Sequence, residues 1–166
     1  TPMFTLFPYT TLFRSIDKDG KKIGYARSVW AMISLNTRKP ADLLALHGGS
    51  IVDYVCDEPC PIEKPSRIKV TSTEPASSLN AKYSDIDING HVNSISYIEH
   101  ILDLFPIELY KESRIRRFEM AYVAESYYGD ELTFYKDYVG NGTYDIEVRK
   151  NGGEAVCRSK VIFVEK

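Results

Sequence analysis

The residues with the most chemistry between them stand in one run, Asp85-Ile86-Asp87-Ile88-Asn89-Gly90-His91-Val92-Asn93. Carboxylate, amide and imidazole side chains alternate there with apolar ones. The stretch that follows is apolar at helical spacing. Ile95, Ile98, Leu102 and Phe105 set the stripe, and Tyr97, Ile101 and Leu104 widen it. Asn93 suits the N-cap, because its side-chain oxygen can accept from the first unpaired helical N–H groups. A helix N-terminus offers such donors together with a partial positive charge. Donors of this kind stabilise an oxyanion developing on a carbonyl. With an apolar helix behind it, such a polar head suits a long-chain acyl thioester. The same residues also make an Asx-turn and a helix cap with no catalytic task, and pattern alone does not choose between the two.

Glu125 is the second candidate. It follows the apolar segment Ala121-Tyr122-Val123-Ala124, so its carboxylate is expected to be part-buried. A part-buried carboxylate is suited to act as a base near neutrality, and a solvated strand end is the plain alternative. Glu119 is a weaker rival.

These residues must be positioned by the elements around them. Leu79 to Ser84 reads as a strand, and the helix after Asn93 is closed by Pro106. Arg114 to Val123 and Leu132 to Val139 read as strands, with a hairpin turn at Gly140-Asn141-Gly142. Tyr144, Ile146 and Val148 alternate with Asp145, Glu147 and Arg149, a strand with one apolar face. After the turn Asn151-Gly152-Gly153, Ala155 to Val164 is the last strand. One buried helix wrapped by a curved antiparallel sheet is an α+β layout, the hotdog fold.

The earlier half is different. Lys18-Asp19-Gly20-Lys21 marks a hairpin turn, and Ile23, Tyr25, Val29, Ala31, Ile33 and Leu35 alternate as in a half-buried strand. Ala41 to Ala45 is a short helical stretch ended by Gly48-Gly49. Pro59, Pro61 and Pro65 make 56–67 the best linker in the chain. The first fifteen residues stand apart, being aromatic and Thr-rich with no acid. Thr5 to Ser15 (TLFPYTTLFRS) resembles the conceptual translation of a short-read sequencing adapter, so 1–15 is expected to be a non-native scar.

Composition narrows the classes. The chain has 166 residues and a formal net charge of −2, so nothing in its charge points to nucleic acid. No apolar run approaches the roughly 20 residues that span a bilayer. Cys56, Cys60 and Cys157 are too few for a disulfide framework and have no metal-ligand spacing, so they read as reduced thiols of a cytoplasmic protein.

Tyr83 to Pro106 (YSDIDINGHVNSISYIEHILDLFP) resembles the signature of the fatty acyl-ACP thioesterases, Asp-x-Asn-x-His-Val-Asn followed by a helix bearing Tyr-Ile. Asp87, Asn89, His91, Val92, Asn93, Tyr97 and Ile98 match it. Gly20 to Leu43 is similar to the segment that closes the family's first hotdog repeat. The resemblance implies a tandem hotdog of which 16–55 is the end of the first repeat and 68–166 the second. It implies Asp87, Asn89, His91 and Glu125 as catalytic residues. Ser126 stands where the family often has a Cys after that Glu, which favours a carboxylate and water over a thiol nucleophile. It implies hydrolysis of acyl-ACP to a free fatty acid, with no metal or redox cofactor. An acyl-CoA thioesterase, a non-catalytic acyl-binding hotdog and an inactive fragment remain open alternatives. The partner would be the acidic acyl carrier protein, met by a basic patch for which Lys111, Arg114, Arg116 and Arg117 are the densest cluster. Neither nucleic acid nor a membrane is expected as a partner. Instability, self-association or pairing of two copies is expected, from an exposed sheet edge and apolar face.

Overall fold

A computed structural model describes residues 9–34, 36, 37, 39–54, 59 and 61–166. The chain divides into two units, Thr1–Lys64 and Pro65–Lys166.

In the first unit, β1 (Tyr9–Ile16) and β2 (Lys22–Trp30) form an antiparallel hairpin. The turn closes because Asp17 Oδ1 accepts from the N–H groups of Asp19 (3.0 Å) and Lys21 (2.8 Å). The half-burial expected of β2 is not found. Ile23, Val29 and Trp30 are more than half exposed, and Tyr25 is 41% exposed. Among the described residues of this unit, β2 pairs with β1 alone, and a two-stranded ribbon has no second layer to cover its apolar side. The helical stretch expected at 41–45 lies instead in 3₁₀ turns over Leu43–Tyr54, which continue through Gly48 and Gly49. Leu35, Cys56 and Cys60 lie outside the described residues.

The second unit is a five-stranded antiparallel sheet curved around one helix. Its strands are β3 (Ser77–Asn80), β4 (Ser113–Tyr122), β5 (Glu131–Gly140), β6 (Thr143–Lys150) and β7 (Glu154–Glu165), in the order β3-β5-β6-β7-β4. Helix α1 (Ser94–Leu102) lies on the concave face. Its Tyr97 and Ile101, one turn apart, enter a core built from Leu132, Phe134, Ile146, Val148, Val161 and Phe163. Ile95 on the other side is 57% exposed, so the helix is buried along a stripe and not all round. It stops at Leu102, three residues before the end of its apolar spacing. Pro106 then opens a second helix, α2 (Ile107–Glu112), which the sequence reading missed because it took that proline only as a stop. Fixed φ and a missing N–H serve a helix start equally well. The strand expected over 79–84 is shorter, and Tyr83–Asp85 is a 3₁₀ turn.

The other face of the sheet departs most from expectation. Asp145 and Glu147, which alternate with the apolar face of β6, are only 5% and 7% exposed. Segment 65–72 crosses over them from β4 to β5. Its backbone N–H groups bond the sheet's carboxylates in turn: Ser66 N to Glu119 on β4 (2.9 Å), Lys69 N to Asp145 on β6 (3.4 Å), and Thr71 N and Ser72 N to Asp137 on β5 (2.6 and 3.0 Å). The spacing is that of an extended chain, which advances about 3.3 Å per residue across strands about 4.8 Å apart. Below it, Glu147 accepts from Arg149 Nε and Arg158 Nε, each at 2.7 Å, and Lys160 Nζ meets Asp145 at 2.5 Å. A cavity of about 440 Å³ remains under 66–70, lined by Ala121, Glu147 and Arg158.

Two local devices aim the ends of the sheet. At the β5–β6 hairpin, Gly142 has φ +69°, and a Cβ there would sit 2.4 Å from the carbonyl oxygen of Phe163. Near the other end, β7 bulges at Val156: Cys157 pairs with Val148 and Ala155 with Arg149. The carbonyl of Val156 accepts from both Val123 N (2.8 Å) and Ala124 N (3.3 Å). With both hydrogen bonds on one carbonyl the strand pairing ends at Tyr122, just ahead of Glu125.

Candidate active site

Asp87 folds the loop that carries Asn89 and His91. Its Oδ1 accepts from the N–H groups of Asn89 (2.8 Å) and His91 (3.2 Å), and its Oδ2 from the Asn89 amide (3.4 Å). Gly90, with φ +82°, lets the loop turn back so that Asp87 N bonds His91 O at 2.8 Å. Desolvation raises the Asp87 pKa, but the hydrogen bonds from His91, from Asn89 and from its amide outweigh it and leave the carboxyl below its usual range.

His91 and Glu125 meet. Their Nε2 and Oε2 atoms are 3.5 Å apart, with side chains 31% and 47% exposed. The Glu125 side chain is thus only about half covered, between the part-burial expected of it and the solvated strand end. The chain leaves β4 at the Val156 bulge, and the carboxylate emerges beside the loop instead of beneath it. Tyr127 touches both members of the pair. Its hydroxyl donates to Glu125 Oε2 (3.1 Å), and its ring stands edge-on to the imidazole with centroids 5.2 Å apart.

The backbone around the pair is tied down. Lys150 Nζ donates to the carbonyl of Glu125 (2.7 Å), and Val92 N to that of Ser126 (2.8 Å). The Ser126 hydroxyl is buried against the Tyr97 hydroxyl on α1, so it faces the core and not a substrate. Tyr127 N donates to Asp130 Oδ2 (2.8 Å). Hydrogen bonds from Asn151 and Tyr127 hold the Asp130 carboxyl below its usual range. Asp85 anchors the loop's other end. It is buried, accepts from Lys82 N (2.7 Å), and meets His100 Nε2 on α1 at 3.0 Å. Tyr127 and His100 carry no sequence signal, and Asp85 stands in the chemistry-bearing run without a legible role, because all three act through contacts across the fold.

The helix terminus contributes fewer donors than expected. Asn93 caps α1 through Ile95 N (3.0 Å). The N–H groups of Asn89, Gly90, His91, Val92 and Asn93 also have intramolecular acceptors. Of the first turn, the N–H groups of Ser94 and Ser96 have no acceptor among the described residues, and Ser96 is buried. Glu119 is removed from consideration. It lies on the outer face, held by Arg117 Nε at 2.6 Å and by Ser66. Burial pushes the Cys157 thiol up to about 12, which rules it out as a thiolate near neutrality.

Residues 68–165 match the sequence model of the acyl-ACP thioesterase C-terminal domain. The chain belongs to the acyl-ACP thioesterase family. Among solved structures it is similar to an acyl-ACP thioesterase from Bacteroides thetaiotaomicron, with 76% identity and a TM-score of 0.88 over 93% of this chain and 62% of that one. It shares its fold with the 12:0-ACP thioesterase from Umbellularia californica, at 20% identity and a TM-score of 0.71 over 90% of this chain and 59% of that one. A chloroplastic dodecanoyl-[acyl-carrier-protein] hydrolase from Cinnamomum camphora is 26% identical over 65% of this chain and 30% of its own length. The chain thus spans under two thirds of each of these relatives. The hotdog expected for the acyl-ACP thioesterase signature is the fold of the second unit.

Proposed function

We propose that this chain is the C-terminal part of an enzyme that hydrolyses fatty acyl-ACP to a free fatty acid, with Asp87, Asn89, His91 and Glu125 as its reacting group. The observation that carries the reading is the approach of His91 Nε2 to Glu125 Oε2, 3.5 Å, beside exposed apolar surface at Ile95, Tyr122 and Val123. A thioester carbonyl over the pair can leave its acyl chain on that surface. Glu125 takes a proton from water as the oxygen attacks the carbonyl carbon. The Asn89 amide and the first turn of α1 receive the oxyanion. The proton crosses to His91, which delivers it to sulfur as the C–S bond breaks, releasing the acid and the carrier thiol. Asp87 holds Asn89 and His91 in place by folding their loop. The placement of Ser126 against Tyr97 supports water, and not a side chain at 126, as the nucleophile.

In this reading 16–55 is the end of a first hotdog repeat, 56–67 the linker and 68–166 the second repeat, with 1–15 foreign. Lys111, Arg114 and Arg116 face the carrier protein, the two arginines being exposed. Arg117 drops out of that patch because it is engaged with Glu119. Among the described residues β4 pairs only with β7, and its other edge is where a neighbouring repeat or a second copy would join. Among the described residues no helix is long and apolar enough to cross a membrane. The buried, unpaired Cys157 fits a reducing, cytoplasmic setting.

The test is turnover of matched acyl-ACP and acyl-CoA thioesters by this chain and by the chain with a complete first repeat restored. Hydrolysis of acyl-ACP, with KM raised by charge reversal at Arg114 and Arg116, supports the reading. Turnover of acyl-CoA alone replaces it with the CoA-specific alternative, and no turnover by either protein refutes it.

A further inference from the structure

We propose that Tyr127 is a positioning residue for the His91–Glu125 pair, a role that rests on the thioesterase reading of that pair. The loop that carries Glu125 is held through its backbone, by Lys150 Nζ at the Glu125 carbonyl (2.7 Å) and by Val92 N at the Ser126 carbonyl (2.8 Å). Backbone anchoring does not by itself place the carboxylate. A glutamate has three rotatable side-chain bonds, and this one is 47% exposed. The Tyr127 hydroxyl restrains the carboxylate directly. It donates at 3.1 Å to Oε2, the same oxygen that lies 3.5 Å from His91 Nε2.

The ring of the same residue limits the imidazole. It stands at 79° to the His91 ring, 5.2 Å between centroids, the edge-to-face arrangement that aromatic pairs favour. One side chain therefore sets the rotamer of the base through its hydroxyl and the tilt of the acid through its ring. Tyr127 is itself fixed through its N–H, which donates to Asp130 Oδ2 (2.8 Å). Asp130 Oδ1 in turn accepts from Asn151 Nδ2 (2.9 Å). The restraint thus reaches back to the β6–β7 turn and does not depend on substrate.

Tyr127→Phe keeps the ring and removes the donor, and Tyr127→Leu removes both. Misplacing a reacting group by about 1 Å costs on the order of 10²-fold in rate. A carboxylate that samples several rotamers, one of them correct, is expected to lose about tenfold. We expect kcat of Tyr127→Phe to fall about tenfold with KM within about twofold, and Tyr127→Leu to lose more. A second measurement needs no turnover. Glu125→Gln moves the NMR signals of the His91 imidazole in the otherwise unchanged chain, and in a Tyr127→Phe background the same change moves them less. Equal displacement in the two backgrounds overturns the proposal whether or not the chain hydrolyses acyl-ACP. Unchanged kcat in Tyr127→Phe overturns it as well. Inactivity of the chain both as it stands and with a complete first repeat restored, together with an intact difference in displacement, rejects the thioesterase reading and leaves the positioning role standing.

Discussion

Replacing Glu147 by alanine removes the carboxylate at the centre of the outer face. Both of its oxygens are used, each accepting from a guanidinium Nε at 2.7 Å, and its side chain is 10% exposed. Desolvation raises its pKa, but the bonds to Arg158 and Arg149 outweigh it and hold the group below the usual carboxylate range. Breaking a fully buried ion pair by removing one partner costs about 3–5 kcal/mol, because a charge is left uncompensated. Here the orphaned guanidiniums of Arg149 and Arg158 are 27% and 39% exposed, so water recovers part of that cost. The expected loss is about 2 kcal/mol, which lowers the Tm of a domain of this size by about 8–16 °C. The sign of the pH dependence follows from the lowered pKa. The contribution is present above the unfolded carboxylate range and is lost as pH falls through the folded value. Thermal unfolding followed by circular dichroism near pH 7 and near pH 3 reads both. The variant should melt well below the parent at neutrality and close to it in acid. Equal melting at pH 7, or a gap that persists undiminished at pH 3, refutes this account of the outer face.

Other positions give further expectations. Ile101→Ala empties a site that is 0% exposed between α1 and the sheet, and should cost about 2–5 kcal/mol in denaturant unfolding. Gly142→Ala places a methyl against the Phe163 carbonyl at positive φ, and should destabilise the β5–β6 hairpin more than Gly152→Ala, where a Cβ meets nothing within 4 Å. Asp137, whose carboxyl is lowered by backbone bonds from Thr71, fastens segment 65–72 above the carboxylate range. Hydrogen exchange at the amides of 71 and 72 should therefore quicken, relative to intrinsic rates, as pH falls through the folded value.

Local features of this fold could be read from the residues. The N-cap at Asn93 and the Asp87 loop depend on contacts within four residues, and both take the form their residue types dictate. The inward alternation of Ile146 and Val148 is likewise a property of the strand itself. The burial of the polar half of the same strand was not legible. Its cover is the segment around Lys69, more than seventy residues away, and no periodicity reports such a partner. Glu125 was expected to be part-buried because an apolar strand precedes it. The bulge at Val156, on a different strand, ends the pairing one step earlier and turns the carboxylate outward. Of the site, the alternating run 85–93 was visible as chemistry, but the contact between His91 and Glu125 and the bracing by Tyr127 exist only once the sheet has closed.

The central claim is that His91 and Glu125 act as one unit on a thioester. The most direct measurement is the acyl-ACP turnover of Glu125→Gln, His91→Ala and the double variant, made in the chain with its first repeat restored. Groups that serve one proton path lose activity together, so each single change is expected to cost on the order of 10²-fold, with the double variant little worse than either. Near-full activity in Glu125→Gln, or losses that multiply in the double variant, would contradict the claim.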